Sequence, residues 1–165
     1  MAGYLCPDAL IKGMKTTIVL LLLLSACSTM DDDYRRIDPG LRPFLKEFIK
    51  EAAARGFQVD TSNLKLTFSG HISGEAQGRT WYDTQSIMID SASSDWGDAP
   101  TTLVFHELGH LYLHREHDNA EINGHLKSIM NGPYSPIFEG EKTYRRKYYI
   151  DELFNPSTAP ADWML

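Results

Sequence analysis

Two histidines and a glutamate share one short segment, His106-Glu107-Leu108-Gly109-His110. On an α-helix, residues four apart lie on the same side one turn apart, so both imidazoles can present nitrogen atoms to one point. Zinc binds imidazole nitrogen at about 2.0–2.1 Å in a tetrahedral arrangement, and a neighbouring carboxylate can accept a proton from the water that the ion acidifies. The segment therefore indicates hydrolysis of an amide or an ester by one catalytic Zn²⁺, with Glu107 as the general base.

A catalytic zinc ion needs a third protein ligand, and three residues after the segment could supply it: His114, Glu116 and His117. If the helix continues straight, His114 lies about 12 Å along the axis from His106, because each residue rises 1.5 Å. The chain must therefore turn back before the third ligand, and His117 leaves room for that turn. We expect His106, His110 and His117 to hold the metal, with Glu116 and His114 as alternatives.

These residues resemble the metzincin clan of zinc endopeptidases, whose metal-binding helix is followed by a turn, a third ligand and a methionine-containing turn beneath the metal. The counterparts here are His117 and the segment Ser128-Ile129-Met130. The clan has glycine seven residues after its first histidine and a ligand ten residues after it. Leu113 and Glu116 stand at those positions in this chain, and His117 comes one residue later.

The likeness is greater to short, largely uncharacterised bacterial lipoproteins that carry His-Glu-Leu-Gly-His, then Arg-x-His-Asp, then Ser-Ile-Met. Arg115-Glu116-His117-Asp118 matches the second motif, and the resemblance covers roughly residues 86–131 together with Asp151-Glu152-Leu153-Phe154. It implies a zincin-like metallopeptidase in which Met130 supports the site. A gluzincin-like alternative would take its third ligand from Glu152 instead. Tyr134 is a candidate for stabilising an oxyanion, or is an ordinary core or surface tyrosine.

Four elements must position these residues, and their patterns predict an α+β fold of one domain. Asp38-Pro39-Gly40 caps a helix that ends near Gly56, and a second helix runs from Asp98 to about Leu113 with Val104, Leu108 and Leu111 as its core stripe. The sequence thus predicts a small twisted sheet packed on the active-site helix, between an N-terminal helix and a C-terminal helix at about Glu141 to Phe154.

The strands of that sheet are indicated by alternating apolar residues. Leu64, Leu66 and Phe68 form one such pattern, and the segment 80–90 contains another, strongest at Ile87-Met88-Ile89. This second strand is either a plain structural strand or an upper edge strand that pairs with an extended peptide. Residues 114–127 are polar and predict no strand. Asp118 could orient a metal-bound histidine or act as a turn residue.

The N-terminus carries the features of a targeting segment. Lys12 and Lys15 precede an apolar run too short to span a bilayer, and Leu24-Ser25-Ala26-Cys27 resembles the bacterial lipoprotein signal. We therefore expect a signal peptide at 1–26 with a possible true start at Met14, a lipidated tether at 27–37 and the metallopeptidase domain at 38–165. The protein would be anchored through Cys27 in the bacterial cell envelope, in the outer rather than the inner membrane because Ser28 does not resemble an inner-membrane retention signal.

Charge and composition limit the remaining partners. The chain of 165 residues has a formal net charge of −6 and no basic stripe, which argues against nucleic acid as a partner. We expect a monomer that acts on a peptide or protein. The competing interpretation is a lipid-anchored binding or structural module of the envelope, in which zinc has a closed shell of four ligands and serves only the fold.

Overall fold

The computed structural model describes residues 36–70, 72, 77–92, 99–132 and 143–165. They belong to one compact unit, Arg36–Leu165. The expected signal peptide, Cys27 and most of the tether lie outside the described residues, and so does Tyr134. The elements are, in chain order, α1 (Arg42–Ala54), β1 (Lys65–Ser69), β2 (Gly78–Trp81), β3 (Ser86–Asp90), α2 (Ala99–Leu113), β4 (Glu121–Ile122), β5 (His125–Leu126), α3 (Thr143–Phe154) and a 3-10 turn at Asp162–Met164.

Helix α1 begins later than the sequence predicts. Asp38 does not cap it: its Oδ1 accepts a hydrogen bond from the amide of Gly40 at 2.9 Å, which closes a turn before the helix. The helix then starts at Arg42 with a proline in its first turn, where the missing amide hydrogen costs nothing. Its end is as predicted, because Gly56 follows with φ of +80°. The inward face consists of Leu41, Leu45, Phe48 and Ala52.

A three-stranded sheet in the order β1-β3-β2 lies beside the helices. Strand β3 pairs with β1 in parallel and with β2 in antiparallel orientation. The segment 80–90 is therefore not one strand but two, joined by a turn in which Gln85 has φ of +47°. Ile87 and Ile89 share the buried face, as predicted.

The interpretation of Ile87-Met88-Ile89 as an edge strand is wrong. Both sides of β3 are occupied by ladder hydrogen bonds, to β1 and to β2. A peptide cannot pair with a strand whose amide and carbonyl groups are already used on both sides. β2 is the strand at that end of the sheet.

Helix α2, which carries the histidine segment, lies at the centre of the unit. It contacts β2 and β3 of the sheet and both other helices. All its residues from 101 to 109 are buried, including Val104 and Leu108 of the predicted core stripe. A helix surrounded in this way holds its polar side chains in fixed environments, which is what a metal site requires.

A two-stranded hairpin, β4–β5, lies in the polar stretch 114–127, where no strand was expected. Its turn is Asn123-Gly124, and both residues have positive φ, of +50° and +79°. Asn-Gly is the commonest sequence for this hairpin turn, so the signal was present in the chain. The hairpin spans the gap between His117 and Ser128.

Helix α3 is the last α-helix of the unit, and its presence confirms the prediction of a C-terminal helix. Its inward face includes Tyr149, Ile150 and Leu153, which are buried. The described residues form three helices and two small sheets, which makes the fold class α+β. Within the described residues, the helices are too short and too polar for any of them to cross a membrane.

Candidate metal centre

His106 and His110 face each other across one turn of α2. Their Nε2 atoms lie 3.0 Å apart, and their ring centroids are separated by 4.7 Å. Two nitrogen ligands of a tetrahedral zinc ion stand about 3.3 Å apart, given zinc–nitrogen bonds of about 2.0–2.1 Å. The pair is therefore spaced as two ligands of one ion would be.

The chain turns back directly after α2 and brings a third imidazole to the pair. His114 adopts a left-handed conformation, with φ of +50°, and the amide of Arg115 donates to the carbonyl of Gly109 at 3.2 Å. After this turn, the ring centroid of His117 lies 5.3 Å from that of His106 and 5.0 Å from that of His110. The donor atoms of the three histidines lie within 4.8 Å of one another, so together they could hold a metal ion.

The alternative third ligands lie elsewhere. Within the described part of the chain, neither His114 nor Glu116 belongs to this cluster of donors. Glu152, the ligand of the gluzincin-like alternative, is fully buried and paired with Arg115. The structure therefore brings together His106, His110 and His117, the three histidines named from the sequence.

Backbone carbonyls fix which nitrogen of each imidazole is available. Nδ1 of His106 lies 2.7 Å from the carbonyl oxygen of Ile129, and Nδ1 of His110 lies 2.5 Å from that of Arg115. A carbonyl oxygen only accepts hydrogen bonds, so each Nδ1 carries the proton and each neutral ring leaves the lone pair on Nε2. Two lone pairs then face each other at 3.0 Å. A cation between them removes this repulsion, so the donor set fits a metal.

Burial keeps these imidazoles neutral. It lowers the pKa of His106 to about 4, although the hydrogen bond to Ile129 acts in the opposite direction. Burial also lowers the pKa of His110, and the neighbouring His117 adds to that effect. Neutral imidazole is the form that binds a metal, so near pH 7 neither ring needs to lose a proton first.

The side chain of Glu107 lies between α2 and the edge strand β2. The hydroxyl of Thr80 donates to its Oε2 at 2.6 Å. A Cβ atom at position 78 would lie 2.5 Å from Oε1 of Glu107, so glycine is the residue that lets the carboxyl group pack against the strand. Burial raises the pKa of Glu107 to about 7, against the hydrogen bond from Thr80 and the charge of Arg79.

Met130 packs against helix α2 at Gly109. A Cβ atom on Gly109 would come within 3.0 Å of the Met130 sulfur and within 2.8 Å of Cδ1 of Leu153. Only glycine allows both side chains to approach α2 this closely at a buried position. Met130 itself is fully buried.

A buried ion pair, not expected from the sequence, connects the turn after α2 to α3. Arg115 Nη2 lies 2.6 Å from Oε1 of Glu152, and Ser128 donates to Oε2 of Glu152 at 2.5 Å. One signal for it exists in the sequence, since Glu152 falls three residues after Tyr149 on the inward face of α3. A charged residue on an apolar helix face needs a buried partner.

Asp118 is a turn residue, and its carboxylate does not orient a histidine ring. Its Oδ2 accepts from Lys127 at 2.9 Å and its Oδ1 from the amide of Ala120 at 3.1 Å. The backbone of Asp118 contributes more directly, because its amide donates to the carbonyl of Met130 at 2.8 Å. This bond ties the segment of His117 to the segment that lies beneath α2.

No protein-family model, curated protein or solved structure matches the chain. Function is therefore inferred from the geometry of the site. Three imidazoles converge in it, and a buried carboxyl group stands on the same turn of helix.

Proposed function

We propose that the protein is a zinc-dependent hydrolase, and specifically a metallopeptidase. In this proposal His106, His110 and His117 hold one zinc ion, and Glu107 is the general base. The observation that carries it is the convergence of the three imidazoles, with the Nε2 atoms of His106 and His110 directed at each other.

The donor set favours zinc among the common metals. Magnesium and calcium prefer oxygen ligands, whereas neutral imidazole suits zinc and its neighbours in the first transition row. Three protein ligands are typical of catalytic zinc, and four are typical of structural zinc. When bound in such a site, zinc acidifies a water molecule and polarises a carbonyl group.

Glu107 is suited to receive the proton from that water. It follows His106 directly in the chain, and its carboxyl group is fixed by the hydroxyl of Thr80. A positioned carboxylate used as general base contributes about 10²–10⁴-fold to the rate of such reactions.

The turn after α2 supports a metzincin-like arrangement of the site. In the clan, glycine and the third ligand stand seven and ten residues after the first histidine, three residues apart. Here the left-handed residue is His114 and the third imidazole belongs to His117, at eight and eleven residues after His106, which is again three apart. The departure from the family pattern thus amounts to one extra residue of helix before the turn.

The test is to compare the wild type with Glu107→Gln in zinc content and in cleavage of a broad peptide library. Gln keeps the size of the side chain but cannot accept the proton. We expect the variant to retain zinc at about one ion per chain and to lose about 10²-fold or more in kcat. Equal turnover by both proteins would refute the role of Glu107. A wild type that binds zinc with four protein ligands and cleaves nothing would favour the structural module.

We also propose that the protein is held in the cell envelope by a lipid on Cys27, on the sequence Leu24-Ser25-Ala26-Cys27 alone. Metabolic labelling with radioactive palmitate should mark the wild type expressed in a Gram-negative host. Cys27→Ser should remove the label and leave the uncleaved precursor. Label retained by the serine variant would contradict the anchor.

A further inference from the structure

The buried carboxylate of Glu152 joins three segments of the chain. It is fully inaccessible to solvent, and both its oxygens are used: Oε1 by Arg115 at 2.6 Å and Oε2 by Ser128 at 2.5 Å. Arg115 Nη1 also donates to the carbonyls of Glu152 and Leu153, at 2.7 Å each. The C-terminal helix α3 is thereby fixed to the turn after α2 and to the segment 128–130.

The two segments that Glu152 fixes are those whose carbonyls hold the metal-binding rings. Arg115 supplies the carbonyl that accepts from Nδ1 of His110, and Ile129 supplies the one that accepts from Nδ1 of His106. Ile129 is flanked by Ser128, whose hydroxyl also accepts from the amide of Met130 at 3.0 Å. Each carbonyl is thus within one residue of a side chain that binds Glu152 directly.

The segment of the third imidazole is attached to the same unit. The amide of Asp118, the residue after His117, donates to the carbonyl of Met130 at 2.8 Å. Movement of the segment 128–130 would therefore be passed to His106 and to the segment of His117, and movement of Arg115 would be passed to His110.

Stability alone does not account for a charged pair in this position. Removing two charges from water is costly, and apolar residues of similar volume often give equal or greater stability than a buried ion pair. A pair of this kind does fix direction, because each partner has only a few orientations that satisfy all its hydrogen bonds. The groups whose direction is fixed here are the two carbonyls beside the metal-binding rings.

We propose that Glu152, acting through Arg115 and Ser128, is a positioning residue that sets the affinity of the three-histidine site for its metal. This inference rests on the metal site of the proposed function, but it concerns binding and not hydrolysis. Residues that hydrogen-bond to a metal ligand and fix its orientation typically change the metal affinity by about 10–100-fold. Residues on α3, far from the histidines in sequence, would then determine how tightly the ion is held.

The experiment measures the zinc dissociation constant by competition with a chromophoric chelator, for the folded wild type and two variants. Glu152→Gln keeps the shape but removes the charge and one acceptor, and Ser128→Ala removes a single hydroxyl. We expect both to bind zinc about 10–100-fold more weakly. The visible absorption of the cobalt-substituted proteins should also change, because the rings are no longer held in one orientation.

Two controls separate positioning from general destabilisation. Asp151→Asn alters the neighbouring residue of α3, which pairs with Arg55 and Lys147. Leu45→Val weakens the core at α1, outside the three segments that Glu152 joins. Both controls should bind zinc as the wild type does at any temperature where they are folded. If Glu152→Gln does not fold, Ser128→Ala decides.

The outcomes also separate this inference from the proposed function. Zinc affinity of both test variants within threefold of the wild type would overturn the positioning role and leave the hydrolase proposal intact. Weakened binding in a protein that cleaves no peptide would support the positioning role while the hydrolase proposal fails. A wild type that binds no divalent metal would overturn both.

Discussion

The hydroxyl of Thr80 donates a 2.6 Å hydrogen bond to the carboxyl group of Glu107, and so connects the edge strand β2 to helix α2. The two residues are 27 positions apart in the chain. Thr80 Oγ1 also lies 3.2 Å from the backbone carbonyl oxygen of Glu107. One threonine therefore contacts both the side-chain carboxyl group and the backbone carbonyl of the proposed base. The orientation of that carboxyl group is therefore a property of the sheet as well as of the helix.

Gly78→Ala should impair catalysis without loss of the metal. The added Cβ would lie 2.5 Å from Oε1 of Glu107, so the carboxyl group must move away from its position on β2. A displacement of about 1 Å in a catalytic group can lower the rate about 10²-fold. We expect a loss of this order in kcat with zinc content unchanged, measured by peptide cleavage and metal analysis.

Gly70→Ala is the matched control for that substitution, because nothing lies within 4 Å of a Cβ atom there. It should cleave peptides at the wild-type rate. A Gly78→Ala enzyme as active as this control would show that Glu107 tolerates displacement, or that it is not the base.

His117→Ala and His114→Asn should differ sharply in zinc affinity. His117 belongs to the cluster of donors, so its loss should weaken zinc binding strongly. The expected loss exceeds the roughly 10–100-fold that is typical when a residue that only orients a ligand is removed. His114 contributes a left-handed turn, with φ of +50°, a conformation that asparagine also adopts readily. Isothermal titration of the metal-free proteins with zinc measures both. Wild-type affinity in the alanine variant would remove His117 from the site.

The stability of the metal-free protein should depend on pH through Glu107. Burial raises the pKa of this residue from its ordinary value of 4.5 to about 7, so the folded state binds its proton more tightly than the unfolded state does. As the pH rises through this window, the proton is lost and the folded state of the wild type is weakened relative to a variant that has no proton to lose. Glu107→Gln should therefore gain up to about 3 kcal/mol over the wild type between pH 4 and pH 8.

Urea unfolding in the presence of a chelator, at pH 4 and at pH 8, tests this expectation. The lowered pKa of His106 affects both proteins alike, so it cancels in the difference between them. A stability difference of the same size at both pH values would contradict an ionisable, buried Glu107.

The sequence was sufficient for the elements that follow local rules. The apolar residues of α2 recur at helical spacing, and the buried face predicted from them, Val104, Leu108 and Leu111, is the observed one. It was insufficient for the sheet. The order β1-β3-β2 depends on which strands meet, and the alternation in 80–90 is the same for a central strand as for an edge strand.

Residues of the candidate site divide in the same way. His106, Glu107 and His110 are recognisable because one helical turn brings them together whatever surrounds them. His117, Thr80 and Gly78 join them only through the turn at His114 and the packing of β2 on α2. The positive φ of His114 is not evident from the residue type, since only a small fraction of non-glycine residues adopt it.

What the chain determined by itself was a helix whose two histidines could hold a metal, with a carboxylate between them, and a choice among several later candidate ligands. The tertiary structure decided the rest: that His117 completes the cluster, that Arg115 and Glu152 pair in the interior, and that carbonyls from two distant segments fix both imidazoles. The physical reason is the distance along the chain over which each kind of interaction acts. Helical spacing acts over four residues and can be read from a single segment, whereas a buried hydrogen bond joins residues that only the folded packing brings to 3 Å.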